Sequence, residues 1–225
     1  MTTIIAVYNR EAYLANAIES VINQTYQNIE IIVIDDGSTD NSRDVALQFA
    51  PPVRYYHQPN GGIAAAWNQG IKLARGDFFS FLDSDDLWTK NKIRQQIDVI
   101  RDNPNLDIVF GHVKQFYSPD MTEEERQQVW CPDGMMPGIS AITMLIRRES
   151  FFKVGWFDSR WRKGIFNDWY LRATELRLMS YMLPQLVALR RLHKKNHGVV
   201  NRCKSIDYVR MFRASLSRRR TQTTD

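Results

Sequence analysis

The chain of 225 residues is poor in several class-defining features. It holds two cysteines, Cys131 and Cys203, far apart and without histidines at ligand spacing. That excludes a disulfide framework and a structural zinc site, and a reducing, cytoplasmic setting is expected. No apolar run approaches the roughly 20 residues that span a bilayer. The opening stretch, Met1-Thr2-Thr3-Ile4-Ile5-Ala6-Val7, has no basic segment and no cleavage site, so it reads as a first strand and not as a secretory leader. Repeats, low-complexity tracts and domain-splitting linkers are missing, and the length suits one domain with a sizeable core. No helical stretch pairs basic with aromatic residues in a nucleic-acid pattern, so no nucleic-acid partner is expected.

What is present in the first half is alternation. Ile4–Val7 and Ile31-Ile32-Val33-Ile34 are apolar on both faces, as strands buried in a parallel sheet must be. Between them, Leu14, Ala17, Ile18, Val21 and Ile22 mark one helix face. Ser38 or Asp40 is a candidate cap for a helix running toward Phe49, stopped by Pro51-Pro52. Val53–Tyr56 reads as a strand, and Ile63, Ala66, Trp67, Gly70, Ile71 and Ala74 as a helix closed by Gly76. Phe78–Leu82, a helix through Ile93, Ile97 and Ile100, and a strand over 107–113 follow. Residues 114–137 look like a polar surface excursion; Ala141–Ile146 looks like a strand, Asn167–Met179 a helix, Leu186–Leu192 extended, and 205–217 a short helix. The pattern predicts an α/β fold with a mostly parallel central sheet and helices on both faces. In such folds the loops at the carboxyl ends of the strands carry ligands. Tyr8-Asn9, Asp35-Asp36 and Asp83-Ser84-Asp85-Asp86 all fall there.

Asp83, Asp85 and Asp86 are three carboxylates within four residues. Two such charges about 4 Å apart repel by about 4 kcal/mol at an effective dielectric near 20. A hard cation removes that repulsion, and Mg²⁺ or Mn²⁺ takes one or two carboxylates together with substrate phosphates. Asp86 or Thr89 can instead cap the following helix. Asp36 can meet a nucleobase or ribose, or simply build the Asp36-Gly37-Ser38 turn. Tyr8 can pack on a base or plug the sheet edge. Asp168, in Phe166-Asn167-Asp168-Trp169, suits a general base or a helix cap, and Asp158 is its nearest alternative as base. His193 can face a metal or diphosphate, or sit in a solvated loop. The net charge of +5 is uneven: basic residues crowd the stretch after Arg147, including Arg190, Arg191, Lys194, Lys195 and Arg218-Arg219-Arg220. That end suits either a solvated face or contact with anionic lipid, diphosphate or nucleic acid, and Arg218–Arg220 are expected to serve location and not chemistry.

Taken in order over residues 2–195, these segments resemble the family 2 glycosyltransferases of the GT-A fold. Ala6-Val7-Tyr8-Asn9 is similar to the family's opening P-x-Y-N, Ile34–Asp40 to its D-D-G-S-x-D turn, and Asn60-Gly61-Gly62 through Asn68-Gln69-Gly70 to its N-x-G segment. Phe81–Trp88 resembles its D-x-D metal motif, Arg147-Arg148-Glu149 with Gly155-Trp156-Phe157-Asp158 the acceptor-side stretch, and Asn167-Asp168 the position of a Glu-Asp pair. The resemblance implies a Rossmann-like GT-A domain over about residues 1–200, with a donor half to about 113, an acceptor half from 114 and a basic tail over 201–225. It implies transfer of a sugar from a nucleotide diphosphate donor, UDP-linked, to a hydroxyl of a glycan, lipid-linked or other acceptor, with inversion, in cell-wall or polysaccharide synthesis. Tyr8, Asp36, Asn68 and Asp83 would bind the nucleotide sugar; Asp83, Asp85 and His193 would hold Mn²⁺ or Mg²⁺; Asp168 would be the base. Ala6, Trp67 and Asn167 depart from the family's proline, arginine and glutamate. A sugar nucleotidyltransferase and a non-catalytic nucleotide-sugar binding module are the alternatives. The first would usually carry a glycine-rich basic loop where this chain has Tyr8-Asn9-Arg10-Glu11-Ala12.

Overall fold

The computed structural model describes residues 1–194, 196 and 206–222. Lys195, Cys203 and the side chains of Arg219 and Arg220 lie outside the described residues. In chain order the elements are β1 (Thr2–Val7), α1 (Glu11–Ile22), β2 (Glu30–Asp35), α2 (Ser42–Leu47), β3 (Val53–His57), α3 (Ile63–Leu73), β4 (Phe78–Asp83), β5 (Leu87–Trp88) and α4 (Lys92–Asp102). There follow β6 (Ile108–Tyr117), α5 (Glu123–Gln127), β7 (Met135–Gly138), β8 (Leu145–Arg147), α6 (Arg148–Val154), α7 (Ile165–Glu175), β9 (Ser180–Leu192) and α8 (Ile206–Gln222). The strands form one sheet in the order β3-β2-β1-β4-β8-β6-β9-β5, with β7 on β6. The four strands β3, β2, β1 and β4 are parallel, β6 and β9 pair in parallel, and β8, β5 and β7 are antiparallel to their neighbours.

Period-two side chains explain the two-sided core. Ile5, Val7, Ile31 and Val33 meet Leu14, Ile18, Val21, Ile93 and Ile100 on one face. Their neighbours Ile4, Ile32, Ile34, Phe79 and Phe81 meet Trp67, Ile71, Phe151, Phe166 and Trp169 on the other. The apolar runs needed both coats, because each strand is covered by helices on either side. Register sets the site: Val7 pairs with Asp35, and Ala6 with Asp83, so these strand ends lie level. The chain first winds outward from β1 to β3 and then returns to place β4 on the other flank of β1. That reversal opens a crevice at the carboxyl ends of β1 and β4.

Several local expectations are corrected. Gly76 does not close α3, which ends at Leu73 with Ala74 at its C-cap. Its N–H donates to Thr2 Oγ1 at 2.9 Å, and a Cβ there would stand 2.6 Å from the Met1–Thr2 backbone, so close approach to β1 explains the glycine. Ala141–Thr143 is one 3₁₀ turn, and only Leu145–Arg147 is a strand, held on β4 and β6. α7 starts at Ile165 and stops at Glu175. Residues 114–137 are less irregular than their polarity implied, since β6 runs on to Tyr117 against β9 and β7 begins at Met135. The capped start expected at Ser38 or Asp40 falls later: α2 begins at Ser42, and Asp40 instead accepts from the N–H groups of Ser42 and Glu11.

Candidate active site

The acidic turn after β4 is braced by β9. Asp86 is buried and accepts from the Arg191 N–H at 2.8 Å. Arg191 Nε donates to the Asp85 carbonyl at 3.0 Å, and its guanidinium lies 5.1 Å and 4.9 Å from the Tyr13 and Phe116 ring centres. Asp86 therefore does not cap α4, whose N-cap is Asn91; nor does Thr89, whose hydroxyl donates to the Leu186 carbonyl. One carboxylate oxygen from each of Asp83, Asp85 and Asp86 lies within 4.8 Å of the others. Asp85 Oδ2 accepts from Arg10 Nε at 3.3 Å and pairs with His193 Nε2 at 2.9 Å. His193 is buried with its ring 4.8 Å from Tyr13. Asp83 Oδ1 is buried and has no hydrogen-bond partner among the described residues.

The electrostatics follow from this packing. Burial first, and the Asp85 charge second, push the Asp83 carboxyl above the usual carboxylate range. Asp86 is raised well above it by burial and by the Asp85 and Asp83 charges. Burial acts upward on Asp85 too, but the His193 hydrogen bond and the Arg10 charge outweigh it and hold Asp85 low. A buried carboxylate oxygen without a donor, beside two more carboxylates, fits a hard divalent cation: it adds the positive charge that the site is short of and takes oxygen ligands. Asp83 and Asp85 are the residues that would hold it.

The other expected residues fall around this crevice and beyond it. Tyr8, at the end of β1, is 46% exposed, so it is no plug; its ring is open to a ligand. Asp36 is buried, and its carboxylate is taken up by its own loop: Oδ1 accepts from Gln58 Nε2 at 2.7 Å and from the Gly61 N–H at 2.9 Å, Oδ2 from the Gly62 N–H at 2.7 Å. Gly62 stands at φ 83°, a conformation glycine adopts freely, and this fixes the entry to α3. Asn68, in α3, engages the Phe157 backbone and not the crevice. Trp67 is buried against Phe81 and Phe157, at 5.5 Å and 4.9 Å between ring centres.

Asp168 lies in a second concavity of about 490 Å³, lined by Trp156, Asp158, Trp161, Arg172 and Arg218 among others. It is buried one turn into α7, whose N-cap is Gly164, so it is not the cap. Its Oδ2 accepts from Arg172 Nε at 3.0 Å, and Arg218 Nη1 stands 3.9 Å from its Oδ1. Asp158 grips Arg160 at 2.6–3.0 Å, and that hydrogen bond leads in holding its carboxyl low. Arg218, read from the sequence as serving location, lies on α8 at the wall of the Asp168 concavity, where Glu175 also binds it at 2.7 Å. The sequence reading also missed Arg10 and Arg191. Arg10 follows Tyr8-Asn9 at the same strand end, and an arginine inside the apolar run Leu186–Leu192 signals a buried partner. Nothing local marked Arg218.

Comparison with known proteins bears on all of this. The profile described as "Glycosyl transferase family 2" matches residues 2–165. A protein of Rickettsia typhi named an uncharacterized glycosyltransferase is 36% identical over 169 residues, covering 70% of this chain and 53% of its own length. One of Nostoc sp. bearing the same description is 35% identical over 184 residues, 72% of this chain and 55% of its own. The chain thus spans about half the length of these relatives. Among solved structures, S. aureus TarS 1–349 in complex with UDP-GlcNAc aligns with 95% of this chain and 64% of its own, at TM-score 0.75 and 18% identity. A mannosyltransferase of Pyrobaculum calidifontis in complex with GDP-Man and Mn²⁺ aligns with 96% of this chain and 64% of its own, at 0.73 and 15%. At such identities these two report the shared GT-A fold.

Proposed function

Because the chain belongs to glycosyl transferase family 2, we propose that it acts as a glycosyltransferase on a nucleotide sugar, moving a sugar from a UDP-linked donor to an acceptor hydroxyl with inversion. The observation that carries the reading is the Asp83–Asp85–Asp86 cluster at the β1–β4 crevice, with Asp83 Oδ1 buried and lacking a hydrogen-bond partner among the described residues. Asp83 and Asp85 would hold Mn²⁺ or Mg²⁺, and His193 orients Asp85 through its 2.9 Å contact. When bound, the cation offsets the charge that grows on the departing diphosphate, an effect worth several kcal/mol.

The chain's own residues do the rest. The open Tyr8 ring stacks on the base, and Asp36, by tying down Gly61 and Gly62, shapes the surface beside it. Asp168 accepts the proton of the attacking hydroxyl, and Arg172 keeps its carboxylate aimed. The oxygen attacks the anomeric carbon opposite the leaving diphosphate, so one displacement inverts the configuration. Residues 1–113 then serve the donor and 114–200 the acceptor, a glycan or lipid-linked hydroxyl of cell-wall or polysaccharide synthesis. Among the described residues no helix is long and apolar enough to cross a membrane. Exposed Val209, Phe212 and Leu216 on α8, beside exposed Arg210 and Arg213, favour contact with an anionic membrane from its cytoplasmic side.

The test is a panel of nucleotide sugars incubated with the protein, a glycan acceptor series, and either Mn²⁺ or a chelator, reading nucleoside diphosphate release. UDP release that depends on Mn²⁺ is expected. Pyrophosphate release from a nucleoside triphosphate and a sugar phosphate would make it a nucleotidyltransferase instead.

A further inference from the structure

The acidic crevice contains a guanidinium that the roles above leave unused. Arg10 opens α1 from the loop after β1, at the flank of the crevice between β1 and β4. Its Nε reaches Asp85 Oδ2 at 3.3 Å, and its Nη1 donates to the Asn9 carbonyl at 2.9 Å. The loop that carries it is fixed: Asn9 has φ 51°, its N–H donates to Ser38 Oγ at 3.0 Å, and its Oδ1 accepts from the Thr39 N–H at 2.7 Å. The side chain is 14% exposed, so it faces the crevice without being sealed in.

We propose that Arg10 holds Asp85 in the cation's place while the crevice is empty, and passes to the donor diphosphate when the cation binds. Asp85 Oδ2 is the shared point. It accepts from Arg10 and pairs with His193, and it belongs to one of the two carboxylates assigned to the cation. A divalent ion on that carboxylate competes with the guanidinium for its oxygens and repels it as a like charge at close range. The displaced guanidinium stays tethered by the fixed Asn9–Arg10 backbone, beside the place the phosphates must take to reach the same ion. The cation's charge is shared with the aspartates and the diphosphate, whose negative charge grows as it leaves the sugar, and the planar fork of an arginine matches two phosphate oxygens. Arg191 is differently committed: it is held by the Asp85 carbonyl, by Asn16 and by two aromatic rings. Arg10, in contrast, meets the acidic cluster at a carboxylate oxygen that belongs to the cation's own ligand set.

This assignment rests on the donor reading given above, and calorimetry on the full chain separates the two. Mn²⁺ alone is titrated into wild type, Arg10→Ala and Arg10→Lys; UDP and UMP are titrated in saturating Mn²⁺. In Arg10→Ala, Mn²⁺ binding in the absence of nucleotide tightens, since its competitor is gone. UDP binding weakens by about tenfold, the scale of one charge-assisted contact, and UMP binding by less. Arg10→Lys falls between, and it keeps the comparison alive if the alanine variant does not fold. A part that merely holds the fold together lowers both affinities or neither, and either result overturns the proposal. Wild type that binds Mn²⁺ but no nucleotide sinks the donor reading, whereas wild type that binds UDP no better than Arg10→Ala sinks only the role of Arg10.

Discussion

Asn68 holds the backbone of Phe157 from both sides: its Nδ2 donates to the Phe157 carbonyl at 2.8 Å, and its Oδ1 accepts from the Phe157 N–H at 3.1 Å. The amide on α3 thereby fixes the Trp156–Asp158 segment that lines the Asp168 concavity. Replacing it by alanine, Asn68→Ala, strips two hydrogen bonds from a half-buried backbone and is expected to cost about 1–3 kcal/mol. Thermal unfolding then drops by several degrees, and turnover falls while UDP affinity in Mn²⁺ holds. A tenfold loss of UDP affinity at unchanged melting temperature would return Asn68 to direct donor contact.

Asp168→Asn distinguishes proton acceptance from charge pairing. Asparagine still accepts from Arg172 Nε, and Arg172 keeps its contacts with the Val154 and Trp156 carbonyls at 2.9 Å and 2.8 Å, so the fold is retained. A general base is worth roughly 10²–10⁴ in rate, and an amide cannot take the proton. Steady-state assays are expected to show at least a hundredfold lower turnover, with UDP affinity unchanged. Near-normal turnover, with Asp158→Asn inactive, would move the base to Asp158.

Glu175 is almost wholly buried and takes hydrogen bonds from Arg218, at 2.7 and 3.1 Å, and from Ser215. Removing Arg218 takes two charge-assisted hydrogen bonds from that carboxylate, and Arg218→Ala is expected to destabilise by about 1–3 kcal/mol. Adding Glu175→Gln should return part of that loss, since the two residues act as a unit. Urea unfolding of the two single variants and the double variant measures the coupling. Strict additivity would mean that the Arg218–Glu175 pair adds nothing to the docking of α8.

Lys92 is fully buried; its Nζ donates to Gln96 Oε1 at 2.8 Å and Ser80 Oγ at 2.9 Å, and lies 4.1 Å from the Trp88 ring centre. Burial drives its pKa well below the ordinary lysine value. Between the lowered folded value and the ordinary one, the unfolded chain binds more protons, so this residue's contribution to stability rises with pH. Wild type should therefore gain on Lys92→Met as pH increases from 7 toward 10, by at most about 1.4 kcal/mol per unit. A constant difference across that range would mean that Lys92 keeps its proton in the fold.

Strand ends were readable in the sequence and their long-range partners were not. The runs Ile31–Ile34 and Phe78–Leu82 end in acid, and in a parallel sheet that ordering alone puts Asp35, Asp36 and Asp83 at one edge. A cap for α4 at Asp86 was the wrong expectation because β5, only two residues long, leaves no periodicity to reveal that the helix waits until Lys92. What Asp86 does instead depends on a backbone donor 105 residues away. The Asp36 carboxylate is likewise spent on Gln58, Gly61 and Gly62, contacts that form only once β2 and β3 are paired. The contact of Arg218 with Asp168 comes from helix docking, which no local pattern encodes.

The division of the core by the sheet has a bearing on how the protein can be altered. α1, whose first residues flank the cation crevice, is rooted in the Leu14–Ile18–Val33 layer, and α7, which bears Asp168, in the Phe151–Phe166–Trp169 layer. Side chains of the two layers project from opposite faces of the strands, so well-separated substitutions in them should have additive effects on stability. A stabilising substitution in one layer can thus be sought without reoptimising the other. Two such lineages of variants could be recombined at the sheet without mutual retuning.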